Sequence, residues 1–150
     1  MRTLDEIIED NQEKLEYINV PKTYYNLLDY THGRCHLFAQ ALHEELGYEL
    51  EFLWDDEYWF EGDNAPSIVL VHAYCILPKG KPFKGKYVDA RGGVSKRMIE
   101  REYEYNSKWY EKTTLEQLKE TIKNKRLCKP DKGEIKAIRK FIRENINSYQ

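Results

Sequence analysis

The segment Ser67-Ile68-Val69-Leu70-Val71-His72-Ala73-Tyr74-Cys75-Ile76-Leu77 has no acidic, lysine or arginine side chain and is apolar at odd and even positions alike. A strand with one wet face alternates polar with apolar residues. A run without that alternation must be covered on both faces, so this one belongs in the middle of a sheet. Its apolar part, Ile68 to Tyr74, has a strand's length and falls far short of the roughly 20 residues a membrane-spanning helix needs. A chain of 150 residues suits one domain whose core needs no metal or disulfide staples. Twelve tyrosines, five phenylalanines and three tryptophans supply that core and argue against disorder. The three cysteines, Cys35, Cys75 and Cys128, are widely spaced and suit reduced thiols. The N-terminus is acidic from Asp5 and lacks the basic-then-apolar pattern of a secretory signal, so the expected location is the cytoplasm.

Around the central strand the periodicities predict an α+β chain, with helices packed on a small antiparallel sheet. Thr3 and Glu6 form a capping box for a helix carrying Leu4, Ile7, Ile8, Leu15 and Ile18, stopped at Val20-Pro21. A short helical piece is expected over Tyr24 to Tyr30. A strong helix follows from Gly33-Arg34-Cys35 to Leu46, closed by Gly47. Tyr48, Leu50, Phe52 and Trp54 alternate with Glu49 and Glu51, as in a half-buried strand, and Asp55 to Pro66 reads as an acidic, aromatic loop. Pro78 to Gly85 has turn chemistry, and Lys86 to Ala90 forms another strand before Arg91-Gly92-Gly93. Trp109 and Tyr110 fall on a short edge strand. Thr114 with Gln117 caps a helix ending near Arg126, and Asp131 with Glu134 caps a final helix bearing Ile135, Ile138, Phe141, Ile142 and Ile146.

Three residues in this layout could act together. Cys35 stands in the first turn of a helix, where the positive end of the dipole favours a thiolate. His72 stands on the central strand and Asp89 on the next one. A thiol nucleophile needs a base, and the base needs a third group to orient it. A hairpin centred between Gly80 and Lys81 would set Tyr74 opposite Tyr87 and His72 opposite Asp89, on one face. A one-residue slip would separate the histidine from the aspartate.

The stretch Gly33-x-Cys35-x-x-Phe38-Ala39, then His72-Ala73-Tyr74, then Tyr87-Val88-Asp89, resembles the transglutaminase-like branch of the papain-like cysteine protease superfamily. The match covers about residues 33–92. The resemblance implies a papain/transglutaminase-like core and a Cys-His-Asp triad, with Cys35 as nucleophile, His72 as base and Asp89 as orienting acid. The implied reaction is acyl transfer, to water in an amide or isopeptide hydrolase or to an amine in a transglutaminase. His36 stands where the family often has an aromatic residue, and Arg91-Gly92-Gly93 follows Asp89 where another turn is expected, so the substrate class is open. The expected organisation is a single domain over 1–150, with a catalytic core over 24–112 and a helical part over 113–150. Trp54, Trp59, Tyr74 and Arg91 are the substrate-binding candidates, a protein or peptide is the expected substrate or target, and no cofactor is expected.

Other readings compete for the same residues. Cys35 shares an apolar stripe with Phe38, Ala39, Leu42 and Leu46, so packing alone would account for it. His32, His36 and His43 cluster near Cys35, yet no Cys-x-x-Cys pair or His-Glu-x-x-His helix completes a zinc site, so no metal is expected. Cys75 points away from His72 into the core, and Cys128 reads as an incidental thiol. Residues 1–66 carry 16 acidic and 4 basic side chains, and residues 67–150 carry 10 and 20. That polarity, with the acidic loop around Trp59 and Phe60, suits a non-catalytic binding or inhibitor protein, such as a phage or mobile-element anti-defence factor. Ten basic residues between Leu118 and Arg143 would also suit nucleic acid, but the apolar spacing favours ordinary solvated helix faces.

Overall fold

A computed structural model describes residues 17–20, 23–78 and 86–150. Its elements, in chain order, are β1 (Tyr17–Val20), β2 (Thr23–Asn26), α1 (Cys35–Leu46), β3 (Glu49–Tyr58), β4 (Ser67–Ile76), β5 (Tyr87–Asp89), β6 (Gly92–Val94), α2 (Lys96–Glu102), β7 (Lys108–Thr113), α3 (Leu115–Asn124) and α4 (Glu134–Glu144). The chain is α+β: five antiparallel strands in the order β6-β5-β4-β3-β7, a separate β1-β2 hairpin, and four helices among the described residues. The unalternating Ser67–Leu77 run does supply the middle strand, and Trp109 and Tyr110 lie on edge strand β7.

Both faces of the sheet are covered around residues 72–75 of β4, by different sets of residues. Ile68 near the β3-β4 tip is 46% exposed, so the expected two-sided cover stops short of that end. Leu50, Phe52, Trp54, Ala73, Cys75 and Val88 face α1, whose Leu37, Phe38, Ala41 and Leu42 are buried with Ile122, Ile138 and Ile142 of the last two helices. Leu53, Tyr74, Val94 and Ile99 form a smaller cluster on the other face. This corrects the half-buried reading of β3: Glu51 is buried too, and it accepts a hydrogen bond from the Tyr74 hydroxyl at 2.5 Å. A carboxylate under a second layer needs such a donor.

Most of the predicted helix at the N-terminus lies outside the described residues. Its end, Tyr17–Val20, is a strand, as is Thr23–Asn26, which overlaps the start of the helical piece expected over Tyr24 to Tyr30; the rest of that piece forms turns. Aromatic and β-branched residues dominate both stretches, and Ile18 and Val20 bury themselves while pairing with β2. Strand β3 runs four residues, Asp55 to Tyr58, into the expected loop. The capping signals hold better: the Thr114 hydroxyl accepts from Gln117 N–H, and Gly47 at φ 72° closes α1 with its N–H on the His43 carbonyl. The final helix starts differently from the expected Asp131–Glu134 box. Glu134 accepts from Asp131 N–H at 2.8 Å, and Gly133 takes the N-cap position.

The C-terminal segment braces both ends of the candidate site. Glu134 is fully buried; it accepts from the Tyr30 hydroxyl and Arg34 Nε, each at 2.9 Å, and pairs with Arg34 Nη2. Arg34 is the residue before α1. At the other end Tyr149 donates its hydroxyl to the Ala90 carbonyl at 2.9 Å. Gly92 has φ 97°, and a Cβ there would lie 2.6 Å from the Ser148 carbonyl oxygen, so only glycine fits this turn.

Candidate active site

The β4-β5 ladder has two rungs, Cys75 opposite Val88 and Ile76 opposite Tyr87. The sequence reading had set Tyr74, two residues earlier, opposite Tyr87. The turn on which that reading was centred lies outside the described residues. A slip of two residues preserves the face of every side chain, because the strand period is two. Asp89 therefore remains on the His72 side, now level with Tyr74 and diagonal to the histidine. Diagonal neighbours are within reach of long polar side chains, and His72 Nε2 lies 2.9 Å from Asp89 Oδ2.

This pair is deeply buried, His72 at 0% and Asp89 at 2% exposure. Asp89 is also gripped by Arg91 across the tight turn: Arg91 N–H and Nε reach Oδ1 at 2.9 and 3.1 Å, and Nη2 reaches Oδ2 at 2.6 Å. Burial would raise the Asp89 carboxyl, but the Arg91 guanidinium and the His72 hydrogen bond hold it well below the usual carboxylate range. As an anion it accepts the Nε2 proton, which leaves Nδ1 as the nitrogen able to work as a base. Burial lowers His72 itself, as do Arg91 and His32, while Asp89 opposes them.

Cys35 approaches from the opposite sheet face, at the edge of β4. Leu77 N–H donates to the Lys86 carbonyl at 2.8 Å, so by alternation the amides of Cys75 and Ala73 point to the β5 side as well. Strand β5 ends one residue past the Cys75–Val88 rung and turns away at Ala90-Arg91. In that gap the Ala73 N–H meets the Cys35 sulfur, which also receives the His36 N–H. Burial pushes the thiol up to about 11, the Asp89 charge acts in the same direction, and the two amides oppose it. The thiol is therefore neutral at pH 7. It sits against the residue next to His72, and among the described residues it has no hydrogen bond to the imidazole.

The Nδ1 side of His72 is filled by a residue the sequence reading missed. Tyr103, just past α2, lies against the imidazole with ring centroids 4.7 Å apart and planes 26° from parallel. Its hydroxyl stands 3.1 Å from Nδ1 and 2.8 Å from the Thr31 carbonyl oxygen. Ser95, whose hydroxyl caps α2 at Met98 N–H, was the available signal for the helix that delivers Tyr103.

The expected substrate-binding residues are not brought to one surface. Trp54 is buried on the α1 face and stacked on Trp109, and Tyr74 is fully buried against His72 and Glu51. Arg91 is committed to Asp89, apart from a buried Nη1 without a hydrogen-bond partner among the described residues. Trp59 is 53% exposed at the tip of the β3-β4 hairpin. The clustered histidines disperse. His32 Nδ1 meets the Thr31 hydroxyl, His36 Nε2 meets the Cys128 carbonyl at 2.7 Å, and His43 Nδ1 meets the Tyr48 carbonyl at 2.7 Å. Cys128 is better engaged than an incidental thiol would be: its sulfur lies 3.2 Å from the Gly33 carbonyl oxygen and 3.5 Å from His36 Nε2. Among the described residues no group of three or more histidine, cysteine or acidic side chains could hold a metal ion, and no helix is long and apolar enough to cross a membrane.

In comparisons with protein-family models, curated proteins and solved structures, the chain matches none of them.

Proposed function

We propose that the chain is a cysteine-dependent acyl-transfer enzyme on a papain-like, transglutaminase-like core, acting on an amide or isopeptide bond. The observation that carries this reading is the buried Asp89–His72 pair beside the Cys35 thiol, where β5 leaves the edge of β4. An oriented imidazole next to a helix-start thiol supplies base and nucleophile in the required order. Because the resting thiol is neutral, His72 acts as a general base during attack rather than as the partner of a standing thiolate. Cys35 Sγ leaves the Ala73 amide, gives up its proton to His72 through the hydroxyl that stands on Nδ1, and bonds to the substrate carbonyl carbon. The same proton then leaves with the amine as the carbon–nitrogen bond breaks, and water or a second amine releases the acyl group. The Ala73 and His36 amides that meet the sulfur are the donors nearest to the oxyanion formed on it.

The test is hydrolysis of a peptide p-nitroanilide pool, together with incorporation of a fluorescent amine into glutamine peptides. Cys35→Ala is expected to lose at least about a thousandfold in turnover, in keeping with loss of a nucleophile, while its thermal melt stays within a few degrees. Turnover that survives in a folded Cys35→Ala protein removes Cys35 from the mechanism.

A second reading has its own observation. Trp59 and Phe60 are 53% and 51% exposed among the exposed acids Asp56, Glu57, Glu61 and Asp63. An exposed aromatic tip of this kind suits a binding or inhibitor protein that seats it in a basic site. Under that reading the Cys35→Ala variant keeps its full effect, and the tip carries the function.

A further inference from the structure

The Tyr103 hydroxyl has one proton and two acceptors in range, the Thr31 carbonyl oxygen at 2.8 Å and His72 Nδ1 at 3.1 Å. With Nε2–H committed to the Asp89 carboxylate, a neutral His72 presents a lone pair at Nδ1 and can accept the phenol proton. A charged His72 carries a proton on both nitrogens, so its Nδ1–H needs an acceptor. The Tyr103 oxygen serves as that acceptor once its own proton turns to the Thr31 carbonyl. One rotation about the C–O bond thus satisfies the ring in both protonation states, inside a site where an unmatched polar group is costly.

We propose that Tyr103 is a positioning residue for His72: its hydroxyl, switching between Nδ1 and the Thr31 carbonyl, stabilises the imidazolium that forms when Cys35 gives up its proton. The proposal rests on the acyl-transfer reading for its purpose, but its geometry stands without it. In the step itself the proton lost by Cys35 Sγ is matched by the one gained at Nδ1, and Tyr103, whose oxygen stands on Nδ1 throughout, ends with the same number of protons as it began with. The ring stack explains why tyrosine rather than serine holds this hydroxyl, since it fixes the oxygen against the imidazole edge.

Several groups set the field around His72. Asp89 faces it from the end of β5, Arg91 from the turn that follows, and His32 from the turn before α1, while Cys35 of α1 faces Asp89 and the Ala73 amide. The Tyr74 ring stacks on it and carries the Glu51 carboxylate at its far end, while Glu102 lies near Arg91 and Tyr103. Among the described residues that contact the ring nitrogens, Tyr103 alone can both donate to and accept from Nδ1.

The experiment is an NMR titration of the His72 ring in the full chain, wild type against Tyr103→Phe, which keeps the stack and removes the oxygen. The titration midpoint is expected to fall by about one pH unit, a tenfold loss of imidazolium at fixed pH, which is the amount by which a hydrogen bond to the charged ring exceeds one to the neutral ring. An unchanged or raised midpoint overturns the proposal. Should Tyr103→Phe not fold, ring 15N shifts of the wild type decide. A hydrogen-bonded Nδ1 acceptor at high pH and a bonded Nδ1–H donor at low pH support the switch, and an Nδ1 without a bond in either state overturns it. Catalysis is judged separately, by whether Cys35 alkylation in the wild type depends on His72. A shifted midpoint with an inert Cys35 keeps the switch and removes the enzyme reading. A His72-dependent Cys35 with an unshifted midpoint does the reverse.

Discussion

At the scale of single residues, Asp89 bears most of the local energetics. It is an anion held inside the protein by a guanidinium and an imidazole, and removing one member of such a set leaves the others buried and uncompensated. Asp89→Asn should therefore cost several kcal/mol at pH 7, within the roughly 3–5 kcal/mol typical of a broken buried pair. The pH dependence has a definite sign. The folded-state carboxyl titrates below its unfolded value of about 3.9, so its contribution is complete above that pH and is lost as pH falls further. Urea denaturation at pH 7 and at pH 3 checks this: the gap between wild type and Asp89→Asn should narrow at the lower pH. A gap that is constant or widening would mean that Asp89 is not an anion in the folded state.

At the scale of elements, the site depends on segments far from it in sequence. Helix α4 holds Arg34 at the foot of α1 through Glu134, and the C-terminal turn holds the Ala90–Gly92 corner behind Asp89 through Tyr149 and Ser148. Glu134→Ala should destabilise the protein by about 3–5 kcal/mol, because Arg34 and the Tyr30 hydroxyl lose a buried carboxylate. Double-mutant cycles with Arg34→Met measure the coupling, and additive losses would show that the pair does not hold α4 to α1. This brace also marks a limit of sequence reading. Helix α1, its glycine stop, the central strand and the Thr114 cap are local patterns and were legible. The buried role of Glu134 was not, because an acid in a first helical turn ordinarily faces water. The β1-β2 hairpin and the short α2 were also missed: their sequences satisfy a helical stripe or no pattern at all, and tertiary pairing decides between them.

At the scale of the whole molecule, the acidic and basic parts of the chain interlock rather than stand apart in every place. Glu45 of α1 pairs with Arg139 and Arg143 of α4, and Arg34 pairs with Glu134. The acids of the β3-β4 tip remain exposed. The architecture places the thiol and the imidazole on opposite faces of one sheet, and the thiol reaches the Ala73 amide at the edge where β5 departs. Sequence order proposed the three residues, and strand parity kept His72 and Asp89 on one side despite the two-residue error in register. The proximity of Cys35 to Ala73, and Tyr103 on Nδ1, follow from where β5 ends and from helix α2, neither of which periodicity reveals.

The proposed mechanism turns on His72 serving Cys35 as a base. The direct measurement is the rate of iodoacetamide alkylation at each cysteine against pH, resolved by mass spectrometry, in wild type and His72→Ala. Cys75 and Cys128 act as internal references. The account predicts that the Cys35 rate rises through an inflection below the ordinary histidine value of about 6.5, then rises again toward the thiol's own ionisation near 11. In His72→Ala only the upper rise should remain. A Cys35 profile with that single upper rise in both proteins would contradict the claim and leave the three residues as packing.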